Sequence, residues 1–309
     1  MYIVGTSNTK VSQYNLTTPW DITTASYTAN TSVLAQDATP QDVTFKPDGT
    51  QMYITGTSNT KVHQYTLGTP WNITTASYTS NVSVLAQESA PQDVFFKPDG
   101  TQMYITGTAN DKVQMYTLGT AWDVTSATYT SNTSVLAQDT TSTSIFFKPD
   151  GTSMFVAGNA NDAIYQYTLS TPWDITTSTY TASTFNFSSI EGSVNGITFN
   201  STGTKMWMIG GSIKMIVEWD LSTPWDITTA TIRTKKYVNH EDTAPSGLYY
   251  SSVANKAFLI GTSSDAVLEY RTDKTASEIV QDIAKTAKLK PIVTQHTVRF
   301  AQHALIGQT

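Results

Sequence analysis

Six near-copies of one short string, spaced 51, 51, 51, 52 and 51 residues apart, constrain this chain more than anything else in it. MYIVGT begins at Met1, MYITGT at Met52 and Met103, MFVAG at Met154, MWMIGG at Met206 and AFLIGT at Ala257. Other markers keep the same beat. Trp20, Trp71, Trp122, Trp173 and Trp225 recur inside a [TA]-[PA]-W-[DN]-[IV]-T motif, and Tyr14, Tyr65, Tyr116, Tyr167, Trp219 and Tyr270 form a second series. The first two units agree at 40 of 51 positions, so the unit has been copied as a whole. A period of this length means one supersecondary unit stacked on its neighbours.

Each unit reads as four short strands. The first, Asp93-Val94-Phe95-Phe96, is apolar on both sides and is expected to be buried on both faces. Lys97-Pro98-Asp99-Gly100-Thr101 then supplies a hairpin: Pro presets φ and Gly accepts the positive φ of a tight turn. The second strand is Met103-Tyr104-Ile105-Thr106, ending at Gly107. The third, Val113 to Leu118, carries the periodic aromatic. A turn built on Trp122 leads to a fourth, from about Thr128 to Leu136, rich in Thr, Ser and Asn. The 55 threonines of the chain concentrate in these turns and polar strands, which read as solvated outer edges.

Four antiparallel strands per unit, running from buried to polar, predict an all-β chain: a six-bladed β-propeller of ~51-residue four-stranded repeats, with a short C-terminal helix-plus-strand tail. An open β-solenoid has shorter coils and weaker hairpin signals. Residues 1–270 form the expected propeller and 271–309 a tail that closes the ring or docks on a partner. The first unit opens on its second strand, Met1-Tyr2-Ile3-Val4, and the sixth ends after its third at Tyr270, so both are incomplete. In the tail, Ser277 caps a predicted helix that carries Ile279, Ile283, Ala287 and Leu289 on one face until Pro291 stops it. Ile292 to Phe300 reads as a strand. Ile279, Ile283, Leu289, Val293, Val298 and Phe300 are the expected docking residues, onto a partner or a second copy.

Charge and composition exclude several classes. The net charge of −6 argues against nucleic-acid binding, which needs a basic surface. The tail carries +3 and the remainder −9. No apolar run approaches the ~20 residues of a membrane-spanning helix, and no secretory signal is visible. With no cysteine there is neither a disulfide framework nor a thiol nucleophile. The Asn-x-Ser/Thr triplets at Asn72 and Asn132 are expected in so threonine-rich a chain.

His63, His240, His296 and His303 show no metal-ligand spacing, and neither Gly-x-Ser-x-Gly nor Gly-x4-Gly-Lys-Ser/Thr occurs. His63 aligns with Ser12 and Gln114 and reads as a surface strand residue. The chain is therefore expected not to be an enzyme and to need no cofactor. The inner-strand starts, where a channel metal would sit, read Asp42, Asp93, Ser144, Asn195 and Gly247, with Glu191 and Glu241 on loops leading in, and the weak metal candidates among them are Asp42, Asp93 and Asn195. Asp42, Asp93 and Asn195 offer oxygens that suit Ca²⁺. Alternatively, an Asp at such a place bonds its neighbour's backbone. The Trp series reads as packing between blades.

The strings F-K-P-D-G-T-x-M-Y-I-T-G, V-x-Q-Y-x-L and T-P-W-D-I-T-T-A-S-Y resemble the propeller repeats of marine bacteriophage structural proteins and bacterial surface proteins, and distantly the YVTN-like propellers of surface layers. The match covers residues 1 to about 270; the last unit departs from it at Val253-Ala254. The resemblance implies a non-enzymatic virion structural protein displayed on a capsid or tail, located on the virion, with capsid or tail proteins as partners. A carbohydrate-binding adhesin or receptor-binding module on a cell surface, meeting host glycans, is the alternative, and a propeller lactonase or lyase with a channel metal a third.

Overall fold

A computed structural model describes residues 2–5, 9–16, 25–190, 192–210, 215–237, 245–251, 256–261, 267–271, 291–294 and 297–300. The chain divides into two compact units, Met1–Glu269 and Tyr270–Thr309. The first is all-β with a propeller-like arrangement, and its sheets are numbered here in chain order.

Sheet one holds β1 (Tyr2–Gly5), β2 (Lys10–Leu16) and β3 (Ala25–Ser32). Sheets two to five are complete four-stranded blades. Blade two is β4 (Pro40–Phe45), β5 (Gln51–Gly56), β6 (Lys61–Leu67) and β7 (Ala76–Ser83). Blade three is β8 (Pro91–Phe96), β9 (Gln102–Gly107), β10 (Lys112–Leu118) and β11 (Ala127–Ser134). Blade four is β12 (Ser142–Phe147), β13 (Ser153–Gly158), β14 (Ala163–Leu169) and β15 (Ser178–Asn186). Blade five is β16 (Val194–Phe199), β17 (Lys205–Gly210), β18 (Met215–Leu221) and β19 (Ala230–Tyr237). Sheet six holds β20 (Pro245–Ser251), β21 (Lys256–Gly261) and β22 (Val267–Arg271). Neighbouring strands are antiparallel, and the first strands of successive sheets pack side by side.

Two expectations change here. The described residues form four complete blades rather than six, because sheet one lacks a first strand and sheet six a fourth. The segment Ile292 to Phe300 is not one strand: β23 (Pro291–Thr294) and β24 (Thr297–Phe300) pair as an antiparallel hairpin, with Pro291 opposite Phe300. The predicted helix with Ile279, Ile283 and Leu289 lies outside the described residues, as do Glu191 and Glu241.

Burial also differs from the simple reading. The driest strand of a blade is the second: Met103, Tyr104, Ile105 and Thr106 of β9 are all fully buried, whereas β8 alternates buried with half-buried positions. The second strand is buried at successive positions on both faces, whereas the first keeps half-buried positions such as Asp93 and Phe95. The fourth strands are the open edges expected from their Thr and Ser content, with three consecutive exposed residues in both β7 and β11.

The Trp turns bind blade to blade. Trp122 takes a positive φ of 67°, and Trp71, Trp173 and Trp225 do the same at 62°, 68° and 65°. That conformation costs a non-glycine residue about 1–2 kcal/mol, which the surrounding bonds offset. Trp122 N–H donates to Gly100 O at 3.0 Å, and the Tyr53 hydroxyl of the preceding blade donates to Trp122 O at 2.5 Å. Tyr104 repeats the bond to Trp173 O at 2.5 Å. A second stitch runs from the third strand. Gln13, Gln64 and Gln166 each accept through Oε1 from the backbone N–H of the next sheet's Trp turn, at Ile73 (2.8 Å), Val124 (2.9 Å) and Ile227 (3.2 Å).

Candidate functional site

The first strands of successive sheets pack against one another, and each is bulged at the same place. Register shifts fall between Pro40 and Asp42, Pro91 and Asp93, Ser142 and Ser144, Val194 and Gly196, and Pro245 and Gly247. A bulge re-aims side chains and recurs beside functional sites. Here it sets a half-buried polar pair at the start of successive first strands: Gln41 with Asp42, Gln92 with Asp93, and Thr143 with the more buried Ser144.

The register moves one sequence candidate. Gly196 pairs with Ile209 as Asp42 pairs with Thr55 and Asp93 with Thr106, so Gly196 is the counterpart of the aspartates. Asn195 instead occupies the bulge position of Gln41, Gln92 and Thr143. The extra residue of the fourth unit, visible as the spacing of 52, displaces the alignment by one. Among the described residues no group of three or more His, Asp or Glu side chains lies close enough to share a metal ion.

Asp42 and Asp93 do form a pair. Asp93 Oδ2 accepts from Ile145 N–H at 3.0 Å and from the Ser144 hydroxyl at 3.1 Å, both on the next blade. Asp42 accepts from Val94 N–H in the same way, and Ser144 Oγ from Ile197 N–H at 3.4 Å. Burial pushes the Asp42 carboxyl well above the usual carboxylate range, and the negative charge of Asp93 pushes it further. Burial also raises Asp93, while bonds from Ile145, Ser144 and Val94 hold it back. Both carboxyls thus hold a proton more tightly than a free carboxyl does, and the pair titrates as a unit.

Three other acids escaped the sequence reading. Asp37, Glu88 and Asp139 are almost completely buried in the crossovers between sheets. Glu88 accepts from the N–H groups of Ala90 (2.8 Å), Ala109 (3.1 Å) and Asn110 (3.3 Å). Asp139 accepts from Thr141 (2.8 Å), Ala160 (3.1 Å) and Asn161 (3.0 Å). Backbone donors surround these carboxylates, which pin each crossover to the following β-turn. Their signal was the V-L-A-Q-[DE] string at the same 51-residue beat. His63 is also not a surface residue: it is 2% exposed, and neither ring nitrogen has a hydrogen-bond partner.

No protein-family model matches the chain, and none of the curated proteins does. Solved structures share the fold. A candidate 6-phosphogluconolactonase from Bacteroides uniformis superposes with a TM-score of 0.54 at 10% identity, over 94% of this chain and 76% of that one. A protein from Lactobacillus plantarum gives 0.57 at 12% identity, over 90% and 78%. Chaetomium thermophilum Sqt1, bound to the N-terminus of ribosomal protein L10, gives 0.51 at 13% identity, over 86% and 66%. At such identities the likeness shows a β-propeller fold. It overturns the expectation of a virion structural protein displayed on a capsid or tail: the fold is that of candidate lactonases and of Sqt1, with no link to a phage or virion, and adhesin gains no support either. The reason is physical. The strings that carried the resemblance are hairpin turns, Trp wedges and stitches between blades, so they report how blades pack and not what the propeller meets.

Proposed function

We propose that this propeller hydrolyses a small neutral lactone at the mouth of its first strands, with Asp93 as general base and Asp42 as general acid. The carrying observation is the carboxyl pair itself, two neighbouring acids both raised by burial, with the charge of Asp93 bearing on Asp42. In the ring-opening, Asp93 takes a proton from water as its oxygen bonds to the lactone carbonyl carbon. The ring C–O bond then breaks, and the departing alkoxide takes the proton of Asp42. Water and lactone become a hydroxy acid. The polar residues beside the pair in the first strands, Gln41, Gln92, Thr143 and Ser144, are all neutral, which suits an uncharged lactone better than a phosphorylated one. The candidate 6-phosphogluconolactonases of the same fold support the reaction class.

The same carboxylates stitch the blades, so the test must separate the two roles. Asp93→Asn keeps an acceptor oxygen for Ile145 N–H and removes the base. With glucono-δ-lactone as substrate, corrected for spontaneous opening, the variant should lose roughly 100-fold or more in kcat at an unchanged melting temperature. The wild-type rate should fall as pH rises through the elevated ionisation of Asp42, because the acid form is then lost. Full activity in Asp93→Asn, or no turnover above the buffer blank, overturns the reading.

We also infer that sheets one and six are the two remaining blades of a six-bladed ring. β1 packs against β4 of blade two, and β20 against β16 and β17 of blade five, which continues the stacking in both directions. An experimental density map with any other number of sheets around the axis refutes this count.

A further inference from the structure

On blade three, away from the first-strand carboxylates, an open cavity of about 310 Å³ lies between the crossover from blade two, the β9–β10 turn, and strands β10 and β11. Ala86, Gln87, Asn110, Lys112, Gln114, Tyr129 and Asn132 line it, and no acid is among them. Its polar atoms are unevenly spent. Gln114 Nε2 donates to Gln87 O at 2.9 Å, Asn110 Nδ2 donates to the same carbonyl, and Asn132 Nδ2 donates to the Tyr129 hydroxyl. One N–H of each of these amides is used within the protein, and the side chains bring further amide donors and acceptors to the cavity wall. Lys112 forms no ion pair among the described residues. Tyr129 offers a partly exposed ring, 37% accessible.

A ligand matched to this wall carries one negative charge for the ammonium, several hydroxyls for the side-chain amides and a C–H face for the tyrosine ring. We propose that the blade-three cavity binds a small polyhydroxy carboxylate. Blade four shows what closes such a place. There Ala163 stands for Lys112 and Tyr165 for Gln114, and both are almost fully buried. Two natural replacements thus remove the charge and fill the space in a blade that keeps the same four strands. The site shares no residue with the first-strand carboxylates and stands whether or not those hydrolyse lactones.

Calorimetric titration of the full chain with gluconate tests the proposal. Wild type should give saturable binding, and Lys112→Ala and Gln114→Tyr should each weaken it roughly tenfold or more. Both copy residues that blade four already carries, so folding should survive; a melting curve for each checks that. Asn132→Asp, on an outer strand, sets a like charge against the anion and should weaken binding as well. Glucose, with the hydroxyls but no carboxylate, should bind roughly tenfold more weakly than gluconate. Absence of saturable gluconate binding, equal affinity for glucose, or undiminished affinity in the folded Lys112→Ala and Gln114→Tyr variants overturns it.

Discussion

Gly100→Ala should destabilise the propeller by roughly 3 kcal/mol or more, a large share of the 5–15 kcal/mol that holds a domain of ordinary stability together. Gly100 sits at φ +73°, where a side chain alone costs about 1–2 kcal/mol. A Cβ there would stand 2.2 Å from Trp122 Nε1 and 2.3 Å from Cδ1. The indole has no room to retreat. It stacks on Phe96 with centroids 5.4 Å apart, its N–H backbone bond goes to Gly100 itself, and Tyr53 of the preceding blade holds its carbonyl. Relief must therefore break the hairpin, the Trp turn or the contact with blade two. Urea unfolding should show a lower midpoint. Truncating the ring in a Gly100→Ala/Trp122→Ala double variant should cost much less than the sum of the single losses, because the clash is shared. A single variant with a wild-type midpoint would sink the argument.

His63→Gln should make the protein more stable in acid by about 2 kcal/mol, after allowance for solvent screening. His63 is buried in β6 with both nitrogens unpartnered. Burial lowers its pKa to about 4; Asp37 opposes that shift and Lys61 reinforces it, while the Tyr78 ring lies 6.0 Å away. The unfolded chain thus binds the proton more readily than the fold. The stability that depends on neutral His63 is complete above the ordinary histidine pKa of about 6.5 and is lost as pH falls towards 4. Glutamine removes that titration. It also restores a bond, since Gln114 at the same place in blade three donates to the crossover carbonyl at 2.9 Å. Unfolding midpoints between pH 7 and pH 4 provide the check. Parallel pH slopes for wild type and variant would show that another group governs the acid limb.

His63 illustrates why some of this molecule could not be read from its residues. Strand K-V-H-Q-Y-T-L alternates in polarity, so a surface reading was natural, yet four consecutive positions of β6 are buried. The cover comes from adjacent blades, which no local pattern records. The same limit applies to Asp42 and Asp93. That they begin first strands was legible, but their bonds to backbone N–H groups of the next blade were not, since the expected turn bond is to a residue close by in sequence. Their mutual charge was not, because Asp93 stands 51 residues further along and is brought close only by stacking. Asn195 was misplaced because the spacing of 52 shows an extra residue but not on which side of the first strand it falls, which the pairing of Gly196 with Ile209 settles.

What the residues alone determined is everything with partners inside one unit: the 51-residue beat, four strands per unit, Lys-Pro-Asp-Gly hairpins, polar outer strands and Trp turns. These depend on φ preferences and alternation within a few positions, and any one copy displays them. Tertiary structure decided what needs two units at once. It made the second strand the driest, gave the Trp carbonyls to tyrosines 69 residues away, and brought two like carboxyls close enough for the charge of one to raise the other. It also left an open cavity on blade three where blade four is filled. The repeat could not reveal these, because a property of the space between blades belongs to neither blade.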